Sequence, residues 1–155
     1  MKDELKKGRI LAFRLLKYRD RSEKEIIERL KKKKISSQII KRILEELKSL
    51  SLLDDKKFSQ SWIRKRLREG YGFLRIKKEL KEKGIREDLV KELINNFKKE
   101  KNIPSQIEEL IKKRARRYKD ESIFNTKRKL LSYLVRRGFS YEEVIQALKN
   151  WEDAY

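Results

Sequence analysis

The chain has 155 residues, 37% apolar and 45% charged, with a formal net charge of +20 and neither cysteine nor histidine. That composition excludes disulfides and thiolate metal sites, and it removes the commonest general base and every Ser-His-type triad. It also leaves no run of the ~20 apolar residues that a bilayer span needs, and the N-terminus lacks an apolar signal core. A soluble, cytoplasmic protein without cofactor or metal is the expectation, and a surface this basic seeks polyanions. Nucleic acid leads the candidates, followed by an acidic protein surface or an anionic membrane.

Apolar residues recur at three- and four-residue spacing, the mark of amphipathic helices, and no period-2 run suggests a strand. In chain order, the first third predicts helices over residues 3–19, 22–33 and 36–50, with Ile26, Leu30, Ile39, Ile40, Ile43, Leu44 and Leu47 on their apolar faces. Ser22 and Ser36 are suitable N-caps. The second third predicts helices over 54–69, 73–83 and 86–99. Asp54 and Asp55 stand at a helix start, where paired carboxylates cap the helix and meet its dipole more readily than they perform acid–base work. Gly72 opens the middle helix, and Gly84 closes it in the left-handed position that glycine favours. The last third predicts helices over 104–118, 126–137 and 140–150. Pro104 fits a first helical turn, Thr126 is the expected middle cap, Gly138 the expected stop, and Ser140 with Glu143 has capping-box spacing.

These thirds are copies of one another. Ile26 aligns with Ile76 and Leu130, Leu30 with Leu80 and Leu134, Ile35 with Ile85 and Phe139, and Ile40 with Val90 and Val144. Lys34 stands where the other copies have Gly84 and Gly138, so that helix end is expected to be strained or differently closed. The reading is an all-α chain of three tandem three-helix repeats, over residues 1–53, 54–103 and 104–155, stacked into an elongated, curved array. A long coiled coil, suggested by the abundance of Glu, Lys, Leu and Arg, conflicts with the breaks at Gly70-Tyr71-Gly72, Gly84 and Gly138, through which no heptad runs.

Four stretches of the sequence carry a resemblance to a known family. Arg19-Asp20-Arg21-Ser22 with Glu25-Ile26 is similar to the family's R-x-R-S-x-x-E-L opening, and Leu52-Leu53-Asp54-Asp55 with Phe58 to its L-L-D-D-x-x-F junction. The stretch from Gly70-Tyr71-Gly72 through Arg75-Ile76 and Glu79-Leu80 to Lys83-Gly84-Ile85 resembles G-x-G-P-x-R-I-x-x-E-L-x-x-K-G-I. Arg136-Arg137-Gly138-Phe139-Ser140-Tyr141 resembles R-R-G-F-S-Y. On these motifs the sequence resembles the RecX family; Phe73 departs from the pattern, where a proline would pre-set the first helical turn. The resemblance implies a non-enzymatic regulator that binds RecA–DNA filaments within their groove and restrains RecA ATPase, strand-exchange and coprotease activity. It also implies roles in DNA repair, homologous recombination and the SOS response.

The basic clusters are the candidate binding residues: Arg19 and Arg21 at the first repeat's turn, and Arg64, Arg66, Arg68 and Arg75 around the second, together with Tyr71. In the third repeat they are Lys127, Arg128, Arg136 and Arg137. Arginine presents a planar fork for phosphate or carboxylate. The other reading of each is a solvated helix face. The run Lys31-Lys32-Lys33-Lys34 equally suits a helix C-terminus, and Arg114, Arg116 and Arg117 share that ambiguity. Tyr71 is expected to pack on Phe73 across the turn rather than to stack on a partner, and Trp62 to pack in the core with Phe58. Charge spread around the modules suits phosphate contact rather than base readout. Expected partners are the RecA filament and single- and double-stranded DNA, bound without sequence preference, with no membrane. Few large apolar residues are surplus to three small cores, so a monomer is expected. A nucleic-acid coat acting without RecA is the alternative. No positioned base, nucleophile and oxyanion site occur together.

Overall fold

A computed structural model describes residues 2–154. Among them the regular structure is helical: α1 (Lys2–Tyr18), α2 (Glu23–Lys32), α3 (Ser37–Ser49), α4 (Asp55–Arg68), α5 (Phe73–Glu82), α6 (Glu87–Glu100), α7 (Ile103–Ala115), a 3-10 turn (Arg116–Tyr118), α8 (Ile123–Arg136) and α9 (Tyr141–Asp153). No helix of the described residues is long and apolar enough to cross a membrane.

Local chemistry sets the helix ends. Ser22 and Ser140 each form a complete capping box, with Glu25 and Glu143 returning the hydrogen bond to the cap N–H. Asp54 caps α4 by accepting from the N–H groups of Lys56 (2.9 Å) and Lys57 (3.1 Å). Ser36 has cap geometry, but its hydroxyl makes no capping bond; its own N–H donates instead to the Glu4 carboxylate. The expected cap Thr126 is overtaken. Ser122 accepts from Asn125 N–H at 3.1 Å and starts α8 almost a full turn earlier, leaving Thr126 buried within the helix. Gly84 (φ 78°) and Gly138 (φ 101°) both close their helices in the left-handed region, and so does Lys34 (φ 59°), which resolves how the first repeat's middle helix ends.

The described chain gathers into two compact units. The first holds the residues up to Trp62 together with Leu80–Val90; the second holds Ile63–Glu79 and the residues from Lys91 on. Both units therefore share the second repeat. In the first unit, Ala12 and Leu15 of α1, Ile26 and Leu30 of α2, and Ile40, Ile43 and Leu47 of α3 form one core. In the second, Ile107 and Ile111 of α7, Leu130 and Leu134 of α8, and Val144 and Leu148 of α9 form another. Burying a side chain of this size contributes about 1.5–3 kcal/mol relative to exposure, so these small helical stripes suffice to hold each bundle.

Each unit contains one joint between consecutive repeats, and the two joints use the same device. In the first unit the turn ending α5 sits on the start of α2. Lys24 Nζ donates to the Glu82 carbonyl at 3.0 Å, and a Cβ on Gly84 would stand 2.7 Å from Lys24 Cβ. In the second unit the turn ending α8 sits on the start of α5. Arg75 Nη1 donates to the Arg136 carbonyl at 3.3 Å, Gly72 N–H to the Arg137 carbonyl at 2.8 Å, and Leu74 N–H to the Gly138 carbonyl at 3.0 Å. A Cβ on Gly138 would stand 2.6 Å from the Arg75 backbone nitrogen. In both joints a cation from the earlier repeat satisfies the carbonyl two residues before the glycine. Lys34, the equivalent residue of the first repeat, is exposed, and there a side chain is tolerated.

Candidate nucleic-acid interface

The sequence groups eleven residues as one class of candidate; the structure separates them by what each side chain touches. Four of them, Arg66, Tyr71, Arg75 and Arg137, come together in the second unit. The Tyr71 ring lies under three guanidinium groups, with the carbon of Arg66 at 3.8 Å, Arg137 at 4.0 Å and Arg75 at 4.4 Å from its centroid. Tyr71 and Phe73 form no stacked ring pair among the described residues; a ring's electron-rich face attracts cations, and α4, α5 and the end of α8 deliver three of them. Phe73 is itself buried, with Lys98 above its ring.

Carboxylates and carbonyls hold the same arginines. Arg66 is only 14% exposed at its side chain and binds Glu79 through two parallel bonds, Nε to Oε1 at 2.9 Å and Nη2 to Oε2 at 2.6 Å. Its third nitrogen donates to Glu69 at 2.7 Å. Burial works against the Arg66 charge, but the hydrogen bonds and charges of Glu79 and Glu69 outweigh it, so its pKa stands above the ordinary guanidinium value. Arg75 approaches Glu79 at 3.5 Å. Arg137 donates through Nε to the Gly70 carbonyl at 3.1 Å and through Nη2 to the Glu69 carbonyl, satisfying carbonyls that the end of α4 leaves open. These four residues form the joint between the second and third repeats.

Arg19 and Arg21 lie at the corresponding turn of the first unit. Arg19 pairs with Glu25 at 2.5 Å, and Lys83 reaches the same carboxylate at 3.7 Å. Burial pushes the Glu25 carboxyl up, yet the bonds from Arg19 and from Ser22 N–H, with the charge of Lys83, bring it below the ordinary carboxylate value. Arg21 donates to the Leu15 carbonyl at 3.4 Å; burial first, then neighbouring Arg19, lowers its pKa. Lys127 is tied to Glu152 at 2.5 Å.

The remaining candidates point outward. Arg68 and Arg128 are exposed and make no hydrogen bond or ion pair with the described residues. Arg136 is exposed at its side chain while its carbonyl serves the joint. Arg64 is exposed, its guanidinium 5.6 Å from the Phe97 ring centroid. Trp62 stacks on Phe58 at 6.1 Å as expected, but it is half-buried rather than in the core, with Lys83 Nζ 4.5 Å from its ring.

Asp54 and Asp55 do not form a site together. Asp54 caps its own helix, whereas Asp55 accepts the N–H of Glu23 at 2.9 Å, at the start of α2. Burial is the main cause of the raised Asp55 pKa, and the Glu23 charge adds to it against that hydrogen bond. No cluster of three or more His, Cys, Asp or Glu side chains suited to a metal occurs among the described residues.

Sequence reasoning missed Glu25 and Glu79, the carboxylates that decide which arginines are committed. Glu79 is four residues after Arg75, a spacing that signals a helical ion pair. Its stronger partner, Arg66, is on a different helix and carries no such signal.

The comparisons with known proteins agree along the chain. The family models for the first, second and third three-helix domains of RecX match residues 9–47, 54–94 and 105–148. The regulatory protein RecX of Bacillus licheniformis is 35% identical over 151 residues, covering 95% of this chain and 56% of the relative. That of Legionella pneumophila is 31% identical over 144 residues, covering 93% of this chain and 94% of the relative. The chain thus spans little more than half the length of its Bacillus relatives and almost the whole of the Legionella one. The crystal structure of RecX from Lactobacillus salivarius matches with a TM-score of 0.83 at 26% identity, over 98% of this chain and 99% of the other. On repeat pattern, helical fold and these matches, the chain belongs to the RecX family of regulatory proteins.

Proposed function

We propose that this chain binds RecA–DNA filaments and restrains RecA, lowering its ATPase, strand-exchange and coprotease activities without catalysing a reaction itself. Family membership, joined to a net charge of +20, carries the reading. In it the protein acts in the cytoplasm as a monomer, during recombinational repair and the SOS response. The repeats 1–53, 54–103 and 104–155 are its modules, and DNA, single- or double-stranded, is met through phosphate rather than sequence. Several weak contacts along a helical polymer act together through effective concentration.

The candidate residues divide the work. Arg64, Arg68, Arg128 and Arg136, exposed at their side chains, meet phosphate or carboxylate of the filament. Arg66, Tyr71, Arg75 and Arg137 hold the joint that fixes the spacing of those contacts. Arg19, Arg21 and Lys127 serve mainly within the protein and lend it charge.

Titration of the protein into RecA turning over ATP on single-stranded DNA tests this. Inhibition should saturate near or below one protein per RecA. Unchanged ATPase across that range refutes the proposal. The charge alone favours a second reading, a nucleic-acid coat that needs no RecA. It predicts tight binding to bare DNA, with a salt slope near −0.9 per duplex phosphate contacted. Weak binding to bare DNA at physiological salt that recovers on RecA filaments excludes it.

A further inference from the structure

The solvent face of α1 is separate from the residues discussed above, and its chemistry is unlike theirs. Leu5, Ile10 and Phe13 form the floor of an open groove of about 820 Å³ along this helix. Ile10 is 50% exposed, the kind of uncovered aliphatic surface that water disfavours. Among the described residues, every charged one lining the groove is a cation, Lys6, Arg9, Arg14 and Lys17 among them, and no carboxylate lines it. Arg9 is paired with Glu46 at 2.6 Å. A second concavity shares Ile10 and Arg14 and carries the same pattern on to Lys33 and Ile35 at the end of α2. The cationic rim and apolar floor are therefore continuous over the length of α1, roughly 22 Å at 1.5 Å per residue.

We infer that this face is a docking groove for an acidic amphipathic helix of a protein partner. The floor asks for apolar side chains and the rim for carboxylates, and one helix of about four turns supplies both, with its apolar stripe down and its acidic flanks over the cations. Charge complementarity selects the sign of the partner. A nucleic acid satisfies the rim but leaves a largely aliphatic floor wet, because bases stack on aromatic faces and phosphates stay hydrated. An anionic membrane asks for a protruding apolar ridge, whereas this floor is recessed between its cations. The inference is independent of the RecA reading, since the groove uses none of the residues assigned there.

The experiment uses the full chain and a labelled synthetic peptide of four helical turns, with leucine along one face and glutamate on both flanks. Fluorescence anisotropy should show saturable binding that weakens with salt, because the rim charges are exposed. A peptide with lysine in place of glutamate should not bind. Ile10→Glu removes the anchor and lowers the local positive charge, and should cost tenfold or more in affinity, on the order of what losing a half-exposed aliphatic contact gives. Circular dichroism and the melting temperature verify its fold, and the double variant Arg14→Ala, Lys17→Ala, at exposed positions, gives an independent reading of the rim. No binding of the acidic peptide overturns the inference, as does unchanged affinity in both variants. Stronger, Ile10-dependent binding of oligothymidylate assigns the groove to single-stranded nucleic acid and overturns it, and so does Ile10-dependent binding of phosphatidylglycerol vesicles without peptide binding.

Discussion

Replacing Gly138 with alanine tests the joint between the second and third repeats. The perturbation has two parts. An L-residue at φ 101° is in backbone space that costs it about 1–3 kcal/mol. The new methyl also stands 2.6 Å from the Arg75 nitrogen and 2.9 Å from the Gly72 carbonyl oxygen, which are backbone atoms and cannot rotate aside. Overpacking of this kind costs about 1–3 kcal/mol more. A destabilisation of about 2–6 kcal/mol follows. At about 2–4 °C per kcal/mol for a chain of this size, the melting temperature should fall by roughly 10 °C. Thermal unfolding followed by circular dichroism at fixed protein concentration measures it. Lys34→Gly is the companion variant, because it occupies the same repeat position and is exposed. Relief of left-handed strain there is offset by about 0.5–1 kcal/mol of extra glycine entropy in the unfolded chain, so its melting temperature should stay within about 3 °C of the parent. A Gly138→Ala protein that melts within 2–3 °C of the parent would refute the joint geometry.

Arg66→Lys keeps the charge but loses the two-bond fork to Glu79 and should cost about 1–2 kcal/mol by urea denaturation; an unchanged midpoint would show that a point charge suffices. Glu25, whose folded pKa is below its unfolded value, stabilises above about pH 4.5 and loses that contribution as pH falls through the folded pKa. Glu25→Gln should therefore be less stable than the parent at pH 7 and nearly equal to it near pH 3, and a pH-independent gap contradicts the ionic origin. Asp55 has its pKa raised by burial, so its ionised form costs stability once the pH exceeds the folded pKa. Asp55→Asn keeps an acceptor for Glu23 N–H without the charge and should match or exceed the parent midpoint at pH 7, whereas Asp55→Ala should fall below it; equal losses in both would show that attraction to the start of α2 dominates. Arg68→Ala with Arg128→Ala should leave the melting temperature unchanged and reduce the salt slope of DNA binding by about one unit per lost phosphate contact, and an unaltered slope removes these two residues from the interface.

Much of the fold is local physics and could be read in advance. Helices follow from three- and four-residue spacing, and Ser22, Ser140, Gly84 and Gly138 mark their ends because a cap acts on atoms within a few residues. The repeat was visible because each copy must bury the same stripe. Ser122 overtook Thr126 because two adequate caps lie close together and only the burial of the Thr126 side chain, within α8, chooses between them. The distinction that matters for binding was not in the local pattern. Arg66 and Arg68 are neighbours of one type on one helix, yet Arg66 is committed to Glu79 and Glu69 while Arg68 is exposed and unpaired among the described residues. Arg137 donates to a carbonyl 67 residues away, and no periodicity encodes such a partner. The sequence by itself determined an all-helical, three-repeat, strongly basic chain, because those properties depend on neighbours in sequence and on summed charge. Only the tertiary structure decided which cations are structural and which remain available, because that depends on carboxylates and carbonyls brought near by folding.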